Sequence, residues 1–155
     1  MHPVYPDTEV IQDDVLGELR CYPDMPADMP DQESLIGRVE WQDGRRLMFD
    51  IRCARIGRAA ALAQARPRFP VIEAREPDYR RAAATELSVS WSEYCVASIS
   101  VTDIIDRITL MDFSFHPDGR VELWYDAANL YRGCPRIVLS VDANLAYQKV
   151  ELCEY

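Results

Sequence analysis

The clearest alternation of apolar and polar residues lies between positions 107 and 153. Two alternating apolar runs flank a short break: Met111, Phe113 and Phe115 before it, and Val121, Leu123 and Tyr125 after it. Because successive side chains of a strand point to opposite faces, each run predicts a strand with one buried face. Pro117 presets φ at the first turn position and Gly119 accepts a positive φ, so we expect a hairpin.

A second hairpin is predicted over residues 136–153, where apolar residues again alternate on both arms. Its turn falls at positions 142–144. The link between the two hairpins, residues 129–135, contains Gly133 and Pro135, which favour a bend over a continued strand.

The first third of the chain predicts a further set of strands. Residues 1–14 carry two prolines and four acids, and we interpret them as an extended N-terminal arm outside the domain, which spans 15–155. Residues 15–22 form a predicted strand, and the proline-rich, acidic residues 23–34 a loop. Residues 35–53 predict a hairpin whose Asp-Gly pair at 43–44 is typical of a type I′ turn.

The apolar period changes from two to between three and four in the middle of the chain, which predicts helices. A short helix is expected over 54–66, closed by Pro67 and Pro70, and a longer one over 76–95. A third, short segment at 100–108 has helix-capping residues. Strands separated by a run of helices predict an α+β single domain: a mostly antiparallel sheet of about seven strands, with two main helices packed on one face.

Composition and charge limit the classes of function. The chain has 155 residues and a net charge of −9, so its surface disfavours nucleic acid and anionic membranes and favours a basic protein partner. The apolar runs are shorter than the ~20 residues that a membrane span needs. The N-terminal residues resemble no signal peptide, and the expected location is therefore cytoplasmic.

The cysteines and histidines do not form a recognisable metal or redox motif. The five cysteines, at positions 21, 53, 95, 134 and 153, lack the Cys-x-x-Cys spacing, and the histidines are His2 and His116 alone. We therefore expect buried structural thiols, no bound metal and no cofactor.

The only catalytic arrangement that the sequence suggests involves His116. Asp112 lies four residues before it on the same predicted strand face, and Asp118 lies in the adjoining turn. A histidine between two carboxylates can relay protons. The competing interpretation is that His116 is a structural residue at the start of the turn, and no nucleophile motif accompanies it.

The second half of the chain resembles a bacterial domain family of unknown function, the one catalogued as DUF twenty-two sixty-two. That family shows a short acidic helix, a hairpin with an Asp-Gly turn, and a link of the form Asp-x-x-x-Leu-(Phe/Tyr)-x-Gly. Asp126, Leu130, Tyr131 and Gly133 match this link. The opening strand and the Trp-x-Asp-Gly hairpin of the first half are similar too. In place of the family's Gly-His step this chain has Gly133 followed by cysteine.

The resemblance implies no established activity, but small acidic bacterial domains of this kind are suspected to be immunity proteins that occlude a toxin. We therefore expect a protein-binding function, with a basic toxin as the partner. The expected contacts are acidic or polar and lie in the 23–34 loop and the link, namely Asp24, Asp28, Asp31, Asp126, Asn129 and Tyr131. An enzyme using His116, and a structural or regulatory module of a larger assembly, remain as alternatives, and the oligomeric state is open.

Overall fold

The computed structural model describes residues 9–23, 33–90, 99–127, 130–133 and 136–153. In chain order the elements are β1 (Val10–Asp13), β2 (Gly17–Pro23), β3 (Glu33–Glu40), β4 (Arg46–Arg52), α1 (Arg58–Ser90), α2 (Val101–Arg107), β5 (Thr109–Phe115), β6 (Val121–Asp126), β7 (Arg136–Val141) and β8 (Tyr147–Cys153).

The eight strands form one sheet in which spatial order follows chain order. Neighbouring strands are antiparallel except β4 and β5, which are parallel and are connected through both helices. The prediction of an α+β fold with a mostly antiparallel sheet and two helices is confirmed. Val10–Asp13, which fell within the predicted arm, pairs with β2 as an edge strand; residues 1–8 lie outside the described part.

Alternate residues of the strands and the inward residues of both helices form one hydrophobic core. At its centre the Phe49 and Phe113 rings stack with centroids 5.3 Å apart, and Trp41 and Phe69 pack against Phe113 at 5.6 and 6.0 Å. Phe69 comes from α1 and the other three from the sheet or its turn. The aromatic cluster therefore joins the helix layer to the sheet.

Helix α1 is a single helix of 33 residues, so the prediction that Pro67 and Pro70 end a first helix is wrong. Proline removes a helical hydrogen bond and its ring strains the preceding turn, at about 3 kcal/mol in an isolated helix. Here Phe69 and Ile72, which flank Pro70, are buried in the core. Burial of such side chains, at roughly 1.5–3 kcal/mol each, offsets that cost.

Three hairpin turns, at 41–45, 116–120 and 142–146, share one geometry. In each, the amide of the fourth residue donates to the carbonyl of the first, at 2.8–3.0 Å. The fourth residue has a positive φ: 84° at Gly44, 90° at Gly119 and 63° at Leu145. The predicted type I′ turn at 43–44 is wrong, because it requires a positive φ at both central residues and Asp43 does not have one.

Arginines of α1 bind to turns between the strands of the sheet. The Arg68 guanidinium donates to the carbonyl oxygens of Gly119 at 2.8 Å and Ala143 at 3.1 Å. Arg66 pairs at 2.6 Å with the buried carboxylate of Asp13, which also accepts from the amides of the β1–β2 turn. Arg66 and Arg68 therefore join the helix to turns of the sheet.

A buried polar cluster lies between α1 and β6. Glu76, only 2% exposed, accepts hydrogen bonds at 2.8 Å from the Tyr125 hydroxyl and from the Arg80 guanidinium. Burial, followed by the charge of Glu76, raises the pKa of Tyr125 well above its ordinary value. The three groups satisfy one another, which is the condition for placing a carboxylate in a core.

We expect Gly37→Ala to destabilise the fold by about 1–3 kcal/mol, as overpacking of a filled core does. A Cβ at this position would lie 2.5 Å from Cζ of Phe49 and 2.8 Å from Cδ2 of Leu19, both of which are buried. Urea denaturation measures the change. Glu40→Ala, at an exposed position of the same strand, should stay within about 0.5 kcal/mol. Equal stability of the two variants would contradict the packing of Phe49 over Gly37.

Candidate functional site

The two faces of the sheet differ in what they contact. One face carries the core, and the other, here called the outer face, bears the alternate residues that point away from both helices. Strand register places Arg38, Met48, Asp112, Trp124 and Val138 in one row across that face. The adjacent row is Arg20, Ile36, Asp50, Ser114 and Glu122. The outer face thus mixes apolar, basic and acidic groups.

Two adjoining depressions cut into the outer face. The larger, about 610 Å³ and here called the arginine groove, lies over β2–β4. Its walls include Arg20, Tyr22, Ile36, Arg38, Arg46 and Met48, with Glu18 at one side. The smaller, about 280 Å³, lies over β3–β5 and includes Asp50 and Asp112. Ile36 and Met48 line both, so the depressions form one continuous surface.

Two methionines are exposed on neighbouring strands: Met48 of β4, which lines both depressions, and Met111 of β5, which lines neither. Met48 is 47% exposed and Met111 46%, whereas most residues of their size on the strands are buried. The sequence pattern placed Met111 on the buried face with Phe113, and that prediction is wrong. The pairing register shifts between Leu110 and Asp112. Because Leu110 and Phe113 both enter the core, this bulge turns the two residues between them outward.

Asp112 and Asp50 form the acidic end of the surface. Asp50 accepts a hydrogen bond from the Ser114 hydroxyl and lies 3.3 Å from the Arg52 guanidinium. Burial raises the pKa of Asp112 above its ordinary value; Arg136, at 3.9 Å, acts against this shift and the charge of Asp50 adds to it. Asp112 is thus a partly desolvated carboxylate whose ion pair with Arg136 is long.

The structure does not assemble the predicted relay of His116, Asp112 and Asp118. Four residues of strand separate Asp112 from His116, which is about 13 Å. Asp118 instead accepts from the amide of Arg120 and closes the turn. His116 lies 3.3 Å from Glu122, whose pKa it lowers, and 3.3 Å from the Arg120 guanidinium. Its side chain is only 9% exposed and lines neither depression.

The residues predicted to contact a partner fall into three groups. Asp24, Asp28, Asp31 and Asn129 lie outside the described residues. Asp126 is exposed at the end of β6, opposite Arg136, where a partner could reach it. Tyr131 is 1% exposed and belongs to the core, so its side chain is not available to a partner.

The described residues hold no group of three or more histidine, cysteine or acidic side chains placed to bind a metal. Cys21, Cys53 and Cys153 are free thiols there, the first two buried. Burial raises the pKa of Cys21, which keeps its thiol protonated and unreactive.

Comparisons with protein-family models, with curated proteins and with solved structures give no match. The resemblance to the bacterial family of unknown function therefore stays a prediction.

We expect Asp112→Asn to stabilise the fold at pH 7, because burial disfavours the charged carboxylate that the variant removes. The native pKa of Asp112 is raised, so the native state takes up the proton at a higher pH than the unfolded chain. Wild-type stability relative to the variant should therefore rise as the pH falls from 7 towards about 4.

Urea denaturation across this pH range measures the difference between the two proteins. Asp126→Asn, which removes an exposed carboxylate from the same face, is the matched control and should change stability little. A less stable Asp112→Asn variant at pH 7 would show that pairing with Arg136 outweighs burial.

Proposed function

We propose that this chain is a protein-binding module whose outer face covers a surface of a partner protein, as an immunity protein covers its toxin. The observation that carries the proposal is the continuous open surface over β2–β5, with the exposed side chain of Met48 at its centre. Methionine, aromatic residues and arginine are enriched in protein interfaces. All three residue types occur on the outer face, as Met48, Trp124 and Arg38.

The dimensions of the face suit such a role. Eight strands spaced by about 4.8 Å are about 34 Å across, and strands of seven residues are about 23 Å long. The resulting area of roughly 800 Å² equals one partner's share of a standard protein–protein interface. The face could therefore hold a specific complex without the proline-rich loop.

Charge supports a protein partner over nucleic acid. The net charge of −9 opposes the phosphate backbone at long range and favours the approach of a basic protein. On the outer face itself the two rows carry bases on β2 and β3 and acids from β4 to β6. Specific pairing with a protein of mixed charge suits this pattern better than occlusion by an acidic surface alone.

A toxin as the partner is supported by the family resemblance, and a cytoplasmic location belongs to the same proposal. No helix in the described part of the chain is long and apolar enough to cross a membrane. An enzymatic role for His116 has less support, since Arg120 and Glu122 enclose its imidazole.

The test is co-expression with the product of the adjacent gene. We expect the chain to relieve growth arrest caused by that product and to elute with it as one complex. Met48→Asp should weaken the complex by at least about tenfold, because it replaces an apolar side chain at the centre of the contact with a charged one that must lose its water. Binding constants from titration calorimetry give the change.

Val89→Asp makes the same substitution at a residue that is 75% exposed on the last turn of α1. It should leave both protection and affinity unchanged. Equal protection by Met48→Asp would place the contact on another surface. A homodimer that buries the outer face, with no complex and no protection, would favour a structural module instead.

A further inference from the structure

We propose that the arginine groove accepts an extended acidic segment of the partner protein, with a carboxylate at every second residue. This inference rests on the proposed function, and it adds the chemistry of the group that is bound. Its basis is the number, spacing and pairing of the arginines over β2–β4.

Among the described residues, few acids lie near the arginines of the groove: Glu18 is beside Arg20, and Glu40 is opposite Arg46 in the strand pairing. Within the described residues, no hydrogen bond or ion pair reaches the guanidinium of Arg38 or Arg46. Arg20 contacts Glu18 at 3.4 Å, but both side chains are about half exposed, and such pairs contribute little. In a chain of net charge −9, this is a local surplus of positive charge. Guanidinium groups bind carboxylates in a bidentate geometry.

The spacing of the arginines matches an extended peptide. Arg20 lies opposite Ile36, two residues from Arg38, and Arg38 lies opposite Met48, two residues from Arg46. The three arginines therefore form a diagonal line with successive separations of about 7–8 Å. Alternate side chains of a strand are about 6.8 Å apart. Carboxylates on alternate residues can thus meet the arginines in turn.

The surroundings restrict where the acidic side chains can bind. Ile36 and Met48 form an apolar floor between the arginines, which suits the intervening apolar residues of such a segment. Beyond Met48, the carboxylates of Asp50 and Asp112 repel further acids. The acidic side chains of the partner can therefore bind only at the β2–β4 end of the surface.

An acidic protein segment fits this site better than a nucleic-acid strand. Both carry anions at regular spacing, but the phosphates of a nucleic acid would face the whole negative surface of the chain at long range. A short segment of a folded partner brings only a few carboxylates, and the rest of the partner can carry the opposite charge.

The experiment uses the full chain, labelled with ¹⁵N, and a synthetic peptide with the sequence acetyl-Glu-Leu-Glu-Leu-Glu-amide. We expect amide resonances of the groove strands to shift on titration, and the affinity to fall as salt is added. Arg38→Gln with Arg46→Gln should lower the affinity at least about tenfold. The variant loses two exposed charge contacts at about 0.7 kcal/mol each, and their sum corresponds to about a tenfold change in the dissociation constant. Both residues are exposed, so the fold should persist, and the amide spectrum checks this.

The matched control combines Arg81→Gln with Arg132→Gln, which removes the same charge from exposed positions outside the groove. Its affinity should stay within about twofold of wild type. Equal loss in both double variants would show an effect of net charge alone and overturn the inference. So would equal binding of the peptide with Gln in place of Glu, or tighter binding of a thymidine hexanucleotide at the groove.

The complex with the adjacent gene's product separates this inference from the proposed function. Suppose that Arg38→Gln with Arg46→Gln keeps full affinity for that protein while Met48→Asp loses it. The inference of an acidic segment is then wrong, and the proposal that the outer face binds the partner still holds. If neither variant changes the affinity, the proposal that the outer face binds the partner is wrong.

Discussion

The parallel pairing of β4 with β5 determines where every other element lies. Parallel neighbours cannot be joined by a tight turn, so the chain must cross from one end of the sheet to the other. Helix α1, with α2 after it, makes that crossing. The two antiparallel four-stranded halves meet at this seam, and Phe49 of β4 stacks on Phe113 of β5 beneath the helix. The packing of the helices on the sheet and the joining of its two halves therefore both depend on the contact between Phe49 and Phe113.

One consequence is that the helices cover only one of the two faces of the sheet. Both helices pack on the core face, so the outer residues of β2–β5 are not required to fit a core. They hold exposed methionines, a partly desolvated Asp112 and two arginines, Arg38 and Arg46, that have no ion pair within the described part of the chain; none of these improves stability. Features that a fold does not need are best explained by a partner.

Much of the fold could be predicted from the sequence, because alternation and turn residues are local signals. Apart from β1, the strands of both halves follow from them, and so do the positions of the turns at Gly44 and Gly119. The continuous α1 could not, since proline propensity predicts a break, and burial of Phe69 and Ile72 overrides it. Nor could the β4–β5 pairing, which joins residues more than sixty positions apart, such as Met48 and Asp112.

The site was harder to predict than the fold for the same reason. Acidic segments and His116 stand out locally in the sequence, whereas Arg20, Arg38 and Arg46 become neighbours only when three strands pair in register. A local signal did exist: the outward position of Met48 between the buried Leu47 and Phe49. The exposure of Met111 depends on a bulge that alternation does not show.

Methyl-group NMR of the five methionines measures the central claim most directly. The free chain, labelled at its methionine methyl carbons, is titrated with the product of the adjacent gene. If the outer face binds, the Met48 and Met111 signals shift or broaden together. A complex that leaves both signals unchanged, and moves those of Met25 and Met29 in the proline-rich loop instead, would contradict the account.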